Sequence, residues 1–486
     1  MKELFENKTV TMRIIIYLLL SLVFTNFLNA QIPDSIWLGT WKGHLEVQGS
    51  RLRVQFHLKQ DSGAWKALMD SPDQMQFGLE MDEVEIDGNR IKLVMKAAHA
   101  KYEGSLNSEK ALINGKWIQG AMSLPLGLVK DYNFQPRKFP QTPKAPFPYK
   151  SEEITYRNEK ADIQLGGTIT IPQLKEGQKA PVLLLITGSG AQDRDETIAG
   201  HKPFWVIADH FSRRGFAVLR VDDRGVGASG GNPQSATTAD FVTDVQAGIN
   251  YLQAHPDIDP KRIILMGHSE GGLIAMMVAA KSRRSIAGII SLAGPGLPMS
   301  ELMTQQIADL AKKEGLGEAY IQASIDYSSK LYELVKADRK NKLNVNTLLE
   351  KMKPYYDGLS QDIKDSLQLT EQRLMQSCAT VMNPWFRYFI KINPAPYLKK
   401  ITCPVLALNG GADIQVAAGP NLEAIAKGIR KNGNKEVTCT EIQGLNHLFQ
   451  SCQSCTIQEY AELEETFSPA VLKAIEGWLM KRYKAE

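Results

Sequence analysis

Residues 263–273 read Ile-Ile-Leu-Met-Gly-His-Ser-Glu-Gly-Gly-Leu, and this stretch decides the fold of the chain. The apolar run at 262–266 predicts a β-strand, and the Ala-, Met- and Val-rich pattern at 272–280 predicts a helix directly after it. Between them lies Gly-x-Ser-x-Gly, with Ser269 at its centre. Between a strand and a helix, this pattern predicts a sharp turn that lifts the Ser269 hydroxyl above the edge of a sheet.

Strand and helix patterns alternate on both sides of this turn. An antiparallel hairpin is predicted at 154–157 and 163–171, and further strands are predicted at 182–187, 217–222, 262–266, 286–292, 405–409 and 437–442. Helices are predicted at 205–213, 239–253, 273–281, 422–431 and 468–484. The alternation predicts an α/β fold with a mostly parallel, eight-stranded sheet and helices on both faces.

Three other regions have different patterns. Residues 31–133 show short alternating strands without helical periods, which predicts a small antiparallel all-β domain of about eight strands, either a lipocalin-like barrel or a sandwich. Residues 134–150 contain five prolines and predict a linker, which leaves 151–486 as the second domain. Within that domain, a helical insertion at about 295–393 is expected to be a lid, with a packing element as the alternative.

The N-terminus has the pattern of an export signal. Lys2, Lys8 and Arg13 precede an apolar run at 14–24, and Leu-Asn-Ala at 28–30 offers a cleavage site. About eleven apolar residues are too few to span a bilayer comfortably, so we expect cleavage of residues 1–30, no stable membrane anchor and a periplasmic or secreted protein. The formal charge of +4, without a long basic run, argues against a nucleic-acid partner.

The five cysteines all lie in the second half of the chain. Cys452 and Cys455, separated by two residues, are a candidate disulfide in an oxidising compartment. No further ligands stand at the spacing of a zinc motif, so no metal site is predicted. No organic cofactor is predicted either.

A serine nucleophile needs a base that takes its proton and an acid that orients the base. Asp413 follows the predicted strand at 405–409, and His447 follows the one at 437–442. Because the carboxyl ends of parallel strands meet at one crevice, Ser269, Asp413 and His447 are expected to converge there. His268, the other histidine of this region, is expected to point away from the Ser269 hydroxyl.

An oxyanion hole needs two backbone N–H groups aimed at the developing negative charge. One is expected from Glu270, at the start of the helix after Ser269. The other is expected from Ser189, in the glycine-rich loop after the strand at 182–187, with Gly190 close behind. Arg194 and Arg224, in neighbouring charged loops, are candidates for binding a polar part of the substrate. Gly190 is a third candidate for substrate binding. A network of salt bridges that stiffens the loops is the alternative.

The chain from about residue 150 resembles an α/β-hydrolase, and is similar to bacterial serine esterases and to peptidases of the prolyl aminopeptidase and oligopeptidase groups. The resemblance rests on the following segments: Thr-Gly-Ser-Gly at 187–190, Gln-Asp-Arg-Asp at 192–195, Asp-Asp-Arg-Gly-Val-Gly-Ala-Ser at 222–229, the turn at 267–271, Gly410–Asp413 and Asn446-His447. The first segments are closest to an exported esterase branch with an extra N-terminal β domain. Thr187 departs from the histidine that many relatives have before the oxyanion glycine.

The resemblance and the residues together imply a serine hydrolase that cleaves small-molecule carboxylic esters through an acyl-enzyme intermediate. Two alternatives stay open. A peptidase or amidase could use the same three residues, and a non-catalytic binding protein could use the fold as a scaffold. The sequence does not determine the oligomeric state.

Overall fold

The computed structural model describes residues 33–47, 50–282 and 286–483. The predicted signal at 1–30 therefore lies outside the described residues. The chain divides into two compact units, Met1–Pro136 and Arg137–Glu486. The divide falls in a stretch without helix or strand, residues 132–148. Within the described part of the chain, no helix is both long and apolar enough to cross a membrane.

The first unit is one antiparallel sheet of nine strands, in the order β4-β3-β2-β1-β9-β8-β7-β6-β5. The strands are β1 (Gly39–Val47), β2 (Ser50–Asp61), β3 (Ala64–Ser71), β4 (Gln76–Glu80), β5 (Glu83–Asp87), β6 (Arg90–Met95), β7 (Ala100–Asn107), β8 (Leu112–Gln119) and β9 (Met122–Asp131). Alternate residues of these strands face one core that contains Trp41, Phe56, Tyr102 and Trp117. The nine described strands confirm the predicted antiparallel all-β domain of about eight strands, and they form a single sheet rather than a two-sheet sandwich.

The second unit is built on an eight-stranded sheet, in the order β10-β11-β13-β12-β14-β15-β16-β17. The strands are β10 (Tyr149–Asn158), β11 (Ile163–Pro172), β12 (Ala180–Ile186), β13 (Ala217–Val221), β14 (Ile258–His268), β15 (Gly288–Leu292), β16 (Val405–Gly410) and β17 (Val437–Ile442). β10 and β11 pair antiparallel, β11 pairs antiparallel with β13, and the other neighbours are parallel. This confirms the predicted mostly parallel sheet of eight strands.

Helices cover both faces of this sheet. The described helices are α1 (Pro203–Ser212), α2 (Thr238–Ala254), α3 (Glu270–Lys281), α4 (Met299–Lys313), α5 (Glu318–Ala337), α6 (Val345–Gly358), α7 (Gln361–Ser366), α8 (Glu371–Val381), α9 (Pro384–Phe389), α10 (Ala395–Leu398), α11 (Ala418–Arg430) and α12 (Pro469–Tyr483). Val182 and Leu184 of β12 face a core shared with α2, α3 and α11. Leu183 and Leu185 face the opposite core, shared with α1 and α12. Burial on both faces explains why β12 is apolar throughout.

Seven helices, α4 to α10, interrupt the alternation between β15 and β16. α5, α6 and α8 share a small apolar core of their own, centred on Val335, Leu348 and Leu374. The helical insertion predicted at about 295–393 is therefore present as an excursion of helices. Its role as a lid stays a prediction.

Candidate active site

Ser269 stands at the turn between β14 and α3. Its backbone has φ 52° and ψ −120°, a left-handed conformation that is uncommon for residues other than glycine. The Ser269 N–H donates to the carbonyl of Leu292 at 2.8 Å, and the Ser269 carbonyl accepts the N–H of Gly272 at 3.0 Å. The turn is thus held from the neighbouring strand β15 and from the first turn of α3.

Glycine is required around this serine because other backbone segments pass very close. A Cβ atom on Gly271 would lie 2.1 Å from the carbonyl oxygen of Ile186, and one on Gly267 would lie 2.1 Å from that of Gly271. Ile186 ends β12, so the first of these contacts brings α3 against the loop in which the oxyanion donor is predicted. The flanking glycines allow the serine turn and that loop to approach each other closely.

Asp413 and His447 lie together, after β16 and β17 respectively. Nδ1 of His447 lies 2.7 Å from Oδ2 of Asp413, and both side chains are buried. Oδ1 of Asp413 accepts the backbone N–H groups of Gln415 and Val416, at 2.8 and 2.9 Å. With these acceptor positions occupied, the carboxylate is fixed in orientation and so is the imidazole that it contacts.

The histidine that precedes Ser269 connects it to this pair. The His268 ring lies 4.8 Å from the His447 ring, centroid to centroid, and its Nε2 lies 3.0 Å from the His447 carbonyl oxygen. The described structure therefore gathers the three predicted residues at one end of the sheet. The loops after β14, β16 and β17 carry them.

The predicted oxyanion loop, residues 187–191, follows β12. Gly190 has φ 108°, a conformation that favours glycine. The Ser189 hydroxyl donates to Oε2 of Glu270 at 2.8 Å, which joins the two predicted oxyanion residues through their side chains. Gly188 lies against the nucleophile, since a Cβ added to it would be 3.3 Å from the Ser269 Cβ.

The Glu270 side chain lies in a buried cluster of hydrogen-bond donors. Oε1 accepts from Thr238 Oγ1 at 2.6 Å, and both oxygens accept from the Trp385 indole, at 3.1 and 3.0 Å. Burial raises the pKa of Glu270 above its ordinary value, although these hydrogen bonds act in the opposite direction. Because Trp385 belongs to α9, the cluster links the inserted helices to the residue after the nucleophile.

Arg194 and Arg224, the candidate substrate-binding residues, both pair with carboxylates of the protein. Arg194 contacts Asp222 through Nε and Nη2, at 3.0 and 2.7 Å, and also contacts Glu153. Arg224 contacts Asp244 through Nε and Nη2, at 2.8 Å each. These contacts are the ones expected if the charged loops are stiffened by a network of salt bridges. Substrate binding by either guanidinium group stays a prediction.

A small cavity of about 40 Å³ lies beside the start of the oxyanion loop, and Thr187, Gly188 and Asp223 contribute to its wall. Oδ1 of Asp223 accepts from the Thr187 hydroxyl at 2.7 Å, and Oδ2 accepts the N–H of Gln192 at 3.0 Å. Desolvation raises the pKa of Asp223 to about 7, although both hydrogen bonds act to lower it. Thr187, the residue that departs from the relatives' histidine, thus anchors the base of the loop.

Sequence reasoning gave no role to three residues of this region: Glu196, Thr238 and Trp385. Thr238 and Trp385 contact Glu270 from 32 and 115 residues away in the chain. Glu196 contacts Gly188 of its own loop and also His268, which is 72 residues away. No local motif marks these three residues. Glu196 comes closest to a signal, because it directly follows the charged segment at 192–195.

Cys452 and Cys455 lie five and eight residues beyond His447 and form a disulfide. Glu459 lies beside them, and the three residues are close enough to hold an ion. The Glu459 carboxylate, however, accepts the N–H groups of Gln453, Ser454 and Cys455. The two sulfurs are bonded to each other and the carboxylate is hydrogen-bonded to the backbone. These groups therefore stabilise a closed loop, and they do not form the ligand set of a metal centre.

A family model for serine aminopeptidases, S33, matches residues 204–450, about half of the chain. The chain belongs to this serine aminopeptidase family. The match includes Ser269, Asp413 and His447, and it begins after the predicted oxyanion loop. It confirms the predicted α/β-hydrolase fold.

Among known proteins, the chain is similar to esterase EstD of Thermotoga maritima, with 25% identity over 394 residues that cover 79% of this chain and 82% of the relative. Among solved structures it is similar to the Pyrococcus furiosus esterase Pf2001, with 15% identity, a TM-score of 0.41, and coverage of 73% of this chain and 100% of that one. It is also similar to Est1E of Butyrivibrio proteoclasticus with ferulic acid bound, with 17% identity, a TM-score of 0.38, and coverage of 68% and 98%.

Proposed function

We propose that this protein is an exported serine esterase that cleaves carboxylic esters of small molecules through an acyl-enzyme intermediate. The observation that carries the proposal is the 2.7 Å contact between His447 Nδ1 and Asp413 Oδ2, next to the strained turn of Ser269. Similarity to an esterase over most of both chains supports ester hydrolysis as the reaction.

In the first half of the proposed reaction, Oγ of Ser269 forms a bond to the ester carbonyl carbon while Nε2 of His447 takes the hydroxyl proton. Asp413 holds Nδ1–H of His447 and stabilises the imidazolium that forms. When the tetrahedral intermediate collapses, the bond to the alcohol oxygen breaks, and His447 returns its proton to that oxygen. The acyl group remains on Ser269.

In the second half, water attacks the acyl carbon and gives its proton to His447. The bond to Oγ then breaks, the carboxylic acid leaves, and Ser269 regains its proton from His447. The backbone N–H groups of Glu270 and Ser189 are proposed to bind the oxyanion in both halves. Each such donor is worth about 10²- to 10³-fold in kcat.

Export is proposed from two observations. Residues 1–30 have the charged, apolar and small-residue order of a signal peptide. Cys452 and Cys455 form a disulfide, a bond that persists in oxidising compartments. The N-terminus of the mature protein tests this directly, because cleavage after Ala30 leaves Gln31 as the first residue. A mature protein that retains residues 1–30 would contradict the proposal.

Peptide or amide hydrolysis is the second candidate, because the matching family model is described as serine aminopeptidase. The same nucleophile and base serve both reactions. Hydrolysis of p-nitrophenyl acyl esters, measured beside aminoacyl-p-nitroanilides, separates the two. Faster turnover of the esters supports the esterase, and faster turnover of the anilides supports the peptidase.

The same assay tests the nucleophile. Ser269→Ala is expected to reduce kcat on esters by about 10⁶-fold and to abolish labelling by a fluorophosphonate. Ser366→Ala is a matched control, because this serine is exposed at the end of α7, among the inserted helices. Ester turnover that survives in Ser269→Ala would remove the proposed mechanism.

A further inference from the structure

A second pair of carboxylate and imidazole lies beside Asp413 and His447. Oε1 of Glu196 lies 2.9 Å from Nδ1 of His268. Both residues are deeply buried, with 2% and 5% of their surface exposed. Glu196 lies in the loop between β12 and α1, and His268 is the last residue of β14, so the contact joins segments 72 residues apart.

When Glu196 is ionised, both nitrogens of the His268 ring face oxygen atoms that only accept hydrogen bonds. Nδ1 faces the Glu196 carboxylate, and Nε2 faces the backbone carbonyl oxygen of His447 at 3.0 Å. A neutral imidazole carries one N–H, so it could satisfy only one of these two contacts, and the other would set two lone pairs against each other. With Glu196 ionised, both contacts are satisfied only when both ring nitrogens carry N–H groups, which makes His268 a cation paired with Glu196.

The same carboxylate oxygen also holds the oxyanion loop. Oε1 of Glu196 accepts the backbone N–H of Gly188 at 2.7 Å. Gly188 directly precedes Ser189, whose N–H is the proposed oxyanion donor. The pair thus contacts three parts of the site at once: the oxyanion loop through Gly188, the serine turn through His268 itself, and the base through the His447 carbonyl.

We propose that Glu196 and His268 form a buried ion pair that positions the oxyanion loop and the base of the active site, and that this positioning depends on His268 carrying both ring protons. The inference rests on the proposed function, since the loops it orders are those of the proposed reaction. Glu196 and His268 act here as positioning residues. They hold the groups that touch the substrate and do not exchange protons with it.

The charges around His268 favour its cationic form. Burial alone lowers the pKa of His268, but the charge and hydrogen bond of Glu196, the His447 carbonyl and the charge of Asp413 outweigh it and raise the pKa above its ordinary value. Among the described residues, the His447 side chain is a further titratable group in contact with the ring. For a raised pKa, the contribution is complete at low pH and is lost as the pH rises through the folded-state value. The positioning should therefore fail on the alkaline side.

The protonation state can be measured without any turnover, by ¹⁵N NMR of histidine-labelled Ser269→Ala protein at about pH 7. His268, assigned by its loss in His268→Gln, is expected to show two protonated ring nitrogens. His201 is the internal control, because burial lowers its pKa to about 4 and it should be neutral. A neutral His268 at this pH would overturn the proposal, whatever the protein hydrolyses.

The positioning role is tested by kcat and KM of Glu196→Gln as a function of pH. The substitution keeps the shape of the side chain and removes the charge, so kcat should fall about tenfold to a hundredfold with little change in KM. Because the charge that raises the pKa of His268 is gone, the alkaline loss of activity should begin at lower pH than in the wild type. The NMR midpoint of His268 should move in the same direction.

A matched control is His210→Gln, which breaks a half-buried histidine–glutamate contact of similar length in the same unit, outside the proposed active site. Nε2 of His210 lies 3.0 Å from Oε2 of Glu476. This variant should keep the wild-type kcat and pH profile. Identical pH profiles for Glu196→Gln and the wild type would overturn the inference. If the wild type itself does not hydrolyse esters, that result would count against the proposed function alone.

Discussion

Ser269 illustrates how much of the site is decided by single residues. Its left-handed backbone is stabilised by neighbours that leave no room for side chains, above all at Gly271, which contacts the end of β12. A strained conformation persists only where surrounding structure determines it. The sequence requirement at 267–271 is therefore steric as well as chemical.

Gly271→Ala tests this steric requirement. The added methyl would lie 2.1 Å from the Ile186 carbonyl and 2.6 Å from the Thr187 carbonyl, so either α3 or the oxyanion loop must shift. We expect a loss of about 1–3 kcal/mol in the free energy of unfolding, together with a fall in kcat. Chemical denaturation and the ester assay measure the two effects.

Gly477→Ala is the matched control for that substitution. Gly477 is an exposed residue within α12, and an added Cβ would contact nothing within 4 Å. Alanine favours the helix by about 1 kcal/mol over glycine, so this variant should be more stable and equally active. If Gly271→Ala is as stable and active as Gly477→Ala, the close approach at β12 does not constrain the site.

At the scale of elements, the contact between α9 and α3 gives the inserted helices a role beyond their own core. The Trp385 indole donates to both oxygens of Glu270, whose carboxyl also receives the Ser189 hydroxyl. A shift of α9 would therefore displace the buried Glu270 carboxyl, and this displacement would move the Ser189 side chain of the oxyanion loop. This coupling supports the prediction that the insertion acts as a lid.

Trp385→Phe removes the indole donor while keeping an aromatic ring. Because a buried carboxylate that loses a partner is costly, we expect a loss of about 1–3 kcal/mol in unfolding free energy. The indole N–H stabilises the charged form of Glu270, so the loss should be larger at about pH 8 than at about pH 5. Thermal unfolding at the two pH values measures this loss of stability, with Tyr388→Phe on the same helix as the control. A loss that is independent of pH would show that packing, not the carboxyl, is responsible.

The elements also show what a sequence can and cannot predict. Ser269, Asp413 and His447 could be proposed because each directly follows a predicted strand, and parallel strands bring such positions to one edge. Trp385 could not, because its partner Glu270 is 115 residues away and only the folded chain defines the contact. The same holds for the contact of Glu196 with His268, 72 residues away, although its other partner, Gly188, lies in the same loop. In the first unit, the turn signals between short alternating runs were sufficient to predict an antiparallel domain of about eight strands, and nine are described.

At the scale of the whole molecule, the two units have separate cores. The buried aromatic residues of the first unit, among them Trp37, Trp41 and Phe56, form one cluster. The cores on the two faces of the second sheet are built from residues of the second unit alone. All three residues of the proposed triad and both proposed oxyanion donors also belong to the second unit.

A chain that begins at Arg137 should therefore fold by itself and keep ester turnover with a similar kcat. This start retains the Arg137 side chain, which donates to the Ala199 carbonyl, and the contact of Gln141 with the Phe467 carbonyl at 2.7 Å. As a comparison that leaves the chain intact, Trp41→Ala should cost about 3–5 kcal/mol in the core of the first unit and leave kcat unchanged. Calorimetry and the ester assay on both proteins provide the measurement. If the shortened chain is folded but inactive and Trp41→Ala also loses activity, the first unit takes part in catalysis, and separate cores do not mean separate functions.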